Sequence, residues 1–209
     1  MKAWTRRDSD GEMMLRCFEL ARHARARGEA PYAAVVSRRG TFLCESGNAA
    51  VADRDATRHA ELVTISQAQR LLRSASLDEC TIYSNVEPCP MCAYAIRETR
   101  LARVVYSLRS PVMGGHSRWN VLGDDYLSAA IPEVFAPPPI IVAGYMSEEA
   151  AKVMHGWNPL FWEVMKERHL MLEGSQQVFE ASPAHKRDGL RQRAASWFRR
   201  RIVDRFWRS

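Results

Sequence analysis

Apolar residues along this chain recur with two different spacings, and the alternation between them outlines a fold. Over residues 9–27, Met13, Leu15, Cys17, Phe18, Leu20, Ala21 and Ala24 return at three- and four-residue steps, which predicts an amphipathic helix closed by Gly28. Ala33–Ser37 and Thr41–Glu45 are short apolar runs around Arg38-Arg39-Gly40 and predict a hairpin. A helical stretch follows from about Arg58 to Leu72, with Ala60, Val63, Ile65 and Ala68 among its apolar positions. Cys80–Ser84 reads as a strand, Pro90–Glu98 as a helix and Arg103–Tyr106 as a strand again.

Residues 110–123 are rich in Gly and Pro and read as a loop, followed by a helix over Asp124–Ile131. Pro137-Pro138-Pro139 leads into an apolar strand, Ile140–Ala143. Ser147 is placed to cap a further helix that carries Glu149 and Ala150 in its first turn. Asn158 and Pro159 read as the cap and first position of a helix over Leu160–Leu172. Strands alternate with helices and no internal repeat is present, so an α/β sandwich is expected.

At 209 residues, with 46% hydrophobic and 26% charged positions, the chain is large enough for one domain with its own core. No apolar run approaches the roughly 18 residues that a membrane span needs. Arg6-Arg7 is followed by Asp8, Ser9, Asp10 and Gly11 and not by a secretory apolar stretch, so a cytoplasmic protein is expected. Five cysteines, two of them as Cys89-x-x-Cys92, point to metal-binding or catalytic thiols and away from a disulfide scaffold.

The net charge of +6 is unevenly placed: nine basic residues against two acids lie from Ser182 onward, which leaves residues 1–181 slightly acidic. A body that grips a phosphate backbone would itself be basic, so a polynucleotide substrate is disfavoured. Residues 174–189 are polar and read as a linker, and residues 190–209 as a basic amphipathic helix with Ala194, Trp197, Phe198, Ile202, Val203, Phe206 and Trp207 on its apolar face. That helix could pack on the body, meet a second subunit, or touch RNA or an anionic lipid surface peripherally.

The chemistry lies in His59-Ala60-Glu61 and Pro88-Cys89-Pro90-Met91-Cys92. One imidazole and two thiolates are a ligand set that suits Zn2+, and three protein ligands leave the fourth tetrahedral position to water, the mark of a catalytic site. The Cys-x-x-Cys spacing puts both sulfurs at the first turn of a helix, where free N–H groups and the helix dipole favour negative charge, and Pro90 suits the first helical position. Glu61 is placed to move a proton between water and a leaving group. A redox dithiol would leave His59 and Glu61 without a purpose, and a non-catalytic zinc scaffold would have no use for Glu61.

These motifs resemble the cytidine deaminase superfamily, in the branch that holds guanine and cytosine deaminases and tRNA adenosine deaminases. The likeness runs from about residue 10 to about residue 155 and includes Gly28-Glu29-Ala30-Pro31, Gly47-Asn48, Asp55 through Glu61 and Thr81 through Cys92. It implies a three-layer αβα sandwich around a mixed five-stranded sheet within a deaminase domain over residues 1–173. It further implies Zn2+ on His59, Cys89 and Cys92, and Glu61 as the catalytic proton shuttle. Substrate would be held by Asn48 and by the backbone at Ala60 and Pro88, and a homo-oligomer, a dimer, is expected. Tyr32 and Ala33 depart from the family pattern, and so does the 111–122 segment, whose His116 and Trp119 are candidates for shaping the pocket. The expected activity is hydrolytic deamination of a nucleobase, nucleoside or similar small heterocycle; the alternative is adenosine-to-inosine conversion in tRNA.

Overall fold

A computed structural model of the chain describes residues 6–180 together with Ala194 and Trp197. Apart from these two positions, the expected C-terminal helix lies outside the described residues. The first helix, α1 (Arg6–Arg22), is followed by a 3-10 turn at Arg25–Arg27 and closed by Gly28 in the left-handed conformation. Strands β1 (Ala33–Arg38) and β2 (Thr41–Gly47) form the expected hairpin. Its two central residues, Arg39 and Gly40, both have positive φ (51° and 82°), the turn whose twist matches paired strands.

Next come α2 (Ala60–Leu72), β3 (Cys80–Val86), α3 (Pro90–Glu98), β4 (Arg103–Leu108), α4 (Asp125–Ala130), β5 (Ile140–Ala143), α5 (Ser147–Trp157), α6 (Pro159–Glu167) and β6 (Gln177–Phe179). The sheet order is β2-β1-β3-β4-β5-β6, with β3, β4 and β5 parallel and the remaining pairings antiparallel. The sheet therefore has six strands, not five. The sixth, Gln177–Phe179, lies in the stretch expected to be linker and pairs with Ile141–Ala143. Gly144 makes room for this strap: with φ 75°, a Cβ there would sit 2.5 Å from the Ser175 carbonyl oxygen.

The two faces of the sheet bury separate cores. Met14, Phe18, Val35, Tyr83, Val105, Val153, Met154 and Trp162 pack on the side of α1, α5 and α6. Val36, Ile65, Ile82, Ile96, Val104 and Tyr106 pack on the side of α2 and α3. The period-2 alternation along β3 is what sorts Tyr83 to one layer and Ile82 to the other. This is the expected three-layer sandwich.

Two helix ends differ from expectation. Asn158 does cap α6, its Oδ1 accepting from the Phe161 N–H at 3.1 Å, but α6 stops at Glu167, and residues 170–172 turn back so that Met171 enters the core and Leu172 bridges Arg109. Ser147 is the first residue of α5 and not its cap; Met146 takes the cap position with φ 52°, and the Ser147 hydroxyl donates to the Gly174 carbonyl at 2.9 Å. No helix among the described residues is long and apolar enough to cross a membrane.

Candidate metal centre and active site

Two helix N-termini meet at the carboxyl end of β3. His59 is the cap residue of α2 and Cys89 the cap residue of α3, neither using its side chain to cap the helix, and Cys92 lies in the first turn of α3. Pro90 occupies the first helical position, as expected. The side chains freed in this way converge: His59 Nδ1 lies 3.5 Å from Cys89 Sγ and 3.6 Å from Cys92 Sγ, and the two sulfurs are 3.6 Å apart. A tetrahedral ion with Zn–N of about 2.0 Å and Zn–S of about 2.3 Å places such donors roughly 3.5–3.8 Å apart. The three side chains expected to bind zinc therefore form the triangular face that zinc requires.

The electrostatics favour a cation. The Cys89 thiol is drawn down to about 4, first by its contact with Cys92 and then by His59, with burial opposing. Cys92 is pushed far up, first by its contact with Cys89 and then by burial. His59 is raised, chiefly by its contact with Cys89. The lowered Cys89 thiol stands at a helix N-terminus, whose dipole favours the ionised form that a metal takes.

Glu61 is 7% exposed beside the donors. Its Oε2 lies 3.6 Å from Cys92 Sγ, and its Oε1 accepts from the Ser84 hydroxyl at 3.1 Å. Burial raises its pKa above the usual carboxylate range. A buried carboxyl with a raised pKa next to a metal face is the arrangement that proton transfer near neutral pH uses.

Ala60, fully buried, opens α2, so its N–H has no partner within the helix. The Pro88 carbonyl accepts from the Gly115 N–H at 2.8 Å, which seats the 110–119 loop on the metal-binding turn. Asn48 is 7% exposed, and its Nδ2 donates to Glu29 at 2.8 Å. Since a carboxylate only accepts, that bond fixes which way the amide faces. His116, singled out in the sequence, is a packed side chain: Nδ1 pairs with the Tyr106 hydroxyl at 2.8 Å and the ring meets Phe179 edge-on, while burial lowers its pKa. Trp119 is 58% exposed on the same loop, with Arg118 over its ring.

Three supporting carboxylate and hydroxyl groups escaped the sequence analysis. Glu29, 1% exposed, accepts from Asn48 and from the Val51 and Ala52 N–H groups. Glu87 accepts from the N–H groups of Ser110, His116 and Ser117 and from the Ser117 hydroxyl, and so gathers the 110–117 loop beside the metal turn. Ser84 is the third. Asn85 joins β3 to the turn before β1, through Ala33 N–H and the Pro31 carbonyl. The one signal available for these groups was their place inside or beside the quoted motifs.

Comparison with known proteins agrees with this geometry. Residues 7–108 match the family described as the cytidine and deoxycytidylate deaminase zinc-binding region. The chain is 32% identical over 152 residues to the tRNA-specific adenosine deaminase of Haemophilus influenzae, covering 72% of this chain and 83% of that protein. It is 38% identical over 77 residues to the guanine deaminase of Bacillus subtilis, covering 37% of this chain and 49% of that one. It is also 38% identical over 139 residues, 65% of this chain, to a tRNA(Ile)-lysidine synthase of Deinococcus deserti, but spans only 24% of that longer protein. A solved structure from studies of A-to-I editing by tRNA:A34 deaminases superposes with a TM-score of 0.62 at 28% identity, covering 68% of this chain and 99% of the other. The chain belongs to the cytidine deaminase superfamily, as a zinc-dependent hydrolytic deaminase.

Proposed function

We propose that this chain hydrolyses the amino group of a nucleobase, nucleoside or similar small heterocycle to a carbonyl, releasing ammonia. The observation that carries the reaction type is the buried Glu61 carboxylate, one oxygen of which lies 3.6 Å from Cys92 Sγ at the edge of the metal face. Zinc on His59, Cys89 and Cys92 would supply the Lewis acidity that makes water a nucleophile near neutral pH. Glu61 takes a proton from the attacking water, passes it to the ring nitrogen, and then passes the second proton to the departing amino group. The sum is substrate and water in, carbonyl and ammonia out. Asn48 and the backbone at Ala60 and Pro88 hold the heterocycle edge-on so that its amino-bearing carbon faces the metal.

The slightly acidic body, residues 1–181, supports a small substrate, since there is no surplus of cations to hold a polynucleotide. A second reading, adenosine deamination in tRNA, is supported by the name of the Haemophilus relative and by the basic residues beyond Ser182. The expected dimer stays part of the proposal: Met91 and Tyr94, 38% and 48% exposed on α3, are apolar surface that a second subunit would cover. A scaffold without activity would leave Glu61 unexplained.

The deciding experiment measures ammonia release by the zinc-loaded full chain from guanine, cytosine, adenine, their nucleosides, aminotriazines and tRNA. Turnover of one of the small compounds, insensitive to salt, is expected. Turnover of tRNA alone, falling steeply with salt, would replace the first reading by the second.

A further inference from the structure

Ser84 has no part in the metal set, and its main chain is taken up in the sheet, opposite Ala34 on β1 and Tyr106 on β4. It is 2% exposed, so its hydroxyl has little access to water. That hydroxyl donates to Glu61 Oε1 at 3.1 Å, while Oε2 lies 3.6 Å from Cys92 Sγ. The two oxygens of one carboxylate are thus divided, one held by the sheet and one facing the metal donors. A glutamate side chain has three rotatable bonds, and the Ser84 hydroxyl is the contact by which the sheet helps to select the rotamer that serves this site.

Resting on the deaminase reading above, we propose that Ser84 is a positioning residue for Glu61, pinning Oε1 so that Oε2 alone exchanges protons with the reacting groups. The proton from water goes to Oε2 and from there to the ring nitrogen; the second goes by the same oxygen to the leaving amino group. Oε1 remains an acceptor throughout, so the Ser84 bond persists in both protonation states of the carboxyl. No bond to Ser84 is made or broken. Because the shuttle is used twice per turnover, a carboxylate free to turn away would lose rate at both steps without weakening the hold on substrate.

The test uses zinc-loaded full chain carrying Ser84→Ala or Ser84→Thr, with zinc content, melting temperature, crystal structure, kcat and KM measured on whichever panel compound the wild type deaminates. Ser84→Ala is expected to keep its zinc, to leave KM within about twofold and to lower kcat about tenfold, the size of one hydrogen bond to a charged group. Its crystal structure should show the Glu61 carboxylate turned from the position it holds in the wild type. Ser84→Thr, which keeps the hydroxyl, should recover kcat.

An unchanged kcat, or a rise in KM alone, overturns the proposal, as does a carboxylate that stays in place in Ser84→Ala. Should Ser84→Thr not fold, the crystal comparison of wild type and Ser84→Ala decides. A wild type that deaminates nothing in the panel would instead overturn the functional reading, and the carboxylate position still reports separately on the pinning.

Discussion

Tyr83 and Ser84 are neighbours on β3, face opposite layers of the sandwich, and each reaches a buried carboxylate. On the α1 side, Asp10 accepts from the Tyr83 hydroxyl at 2.8 Å and from both terminal nitrogens of Arg103 at 2.7 Å. On the α2 side, Glu61 accepts from the Ser84 hydroxyl with Oε1 and from the Cys92 thiol with Oε2. The first carboxylate is neutralised and accepts three hydrogen bonds. The second has one oxygen against a metal-donor sulfur, and no arginine, lysine or other full cation pairs with it among the described residues. A closed cluster stabilises and an open one reacts. The same strand supports both because adjacent residues point to different cores.

The comparison breaks most completely at the metal face. Cys92→Ser removes a soft ligand that is buried and within 3.6 Å of both other donors. Bound zinc should fall from about one per chain to near zero by mass spectrometry, and ammonia release should be lost with it. Glu61→Gln sharpens the contrast by removing only the proton traffic. Turnover should fall roughly 10²–10⁴-fold, with zinc content retained and the melting temperature unchanged or raised. Loss of zinc in Glu61→Gln would make Glu61 a ligand and erase the distinction between the metal set and the shuttle.

On the closed side the effect should be on stability alone. Asp10→Ala leaves the Arg103 guanidinium, whose side chain is 12% exposed, without its counter-ion. Removing one partner of a buried pair costs about 3–5 kcal/mol, to be read from denaturant melts, while kcat and KM of the folded, zinc-loaded protein should not move. A fall in kcat comparable to that of Ser84→Ala would show that the two layers are not independent.

How legible these clusters were in the sequence follows from the distance between their parts along the chain. The two halves of the metal set are short motifs, His59-Ala60-Glu61 and Pro88 through Cys92, whose spacing already places the groups at helix starts. Apolar periodicity likewise located α2, α3 and the central strands, because burial imposes it directly. Ser84, Glu29 and Glu87 were not assigned roles, since each acts through a partner between 19 and 30 positions away. A serine that holds a catalytic carboxylate and one that merely lines a strand look alike in sequence. Gln177–Phe179 escaped for another reason: a three-residue edge strand with exposed side chains carries no alternation to read. Ser147 misled because a serine before Glu148 and Glu149 has the local signature of a cap, whereas its hydroxyl is spent on Gly174 across the fold.

The smallest change tests the comparison most finely. Tyr83→Phe deletes one hydroxyl from the closed cluster and keeps the ring that fills the α1-side core. Asp10 then retains both bonds from Arg103, so no charge is orphaned, and the one other group affected is the buried Ser37 hydroxyl, which loses its contact with the Tyr83 oxygen. The expected cost is about 1 kcal/mol, the net worth of one hydrogen bond, or roughly 2–4 °C in melting temperature for a domain of this size. Activity should stay at the wild-type level even though the next residue is Ser84, because a hydroxyl lost on one face leaves the β3 backbone and its ladders to β1 and β4 intact. If kcat fell along with the melting temperature, the strand would be transmitting strain from one layer to the other, and Ser84 would owe its position to the ion pair behind it.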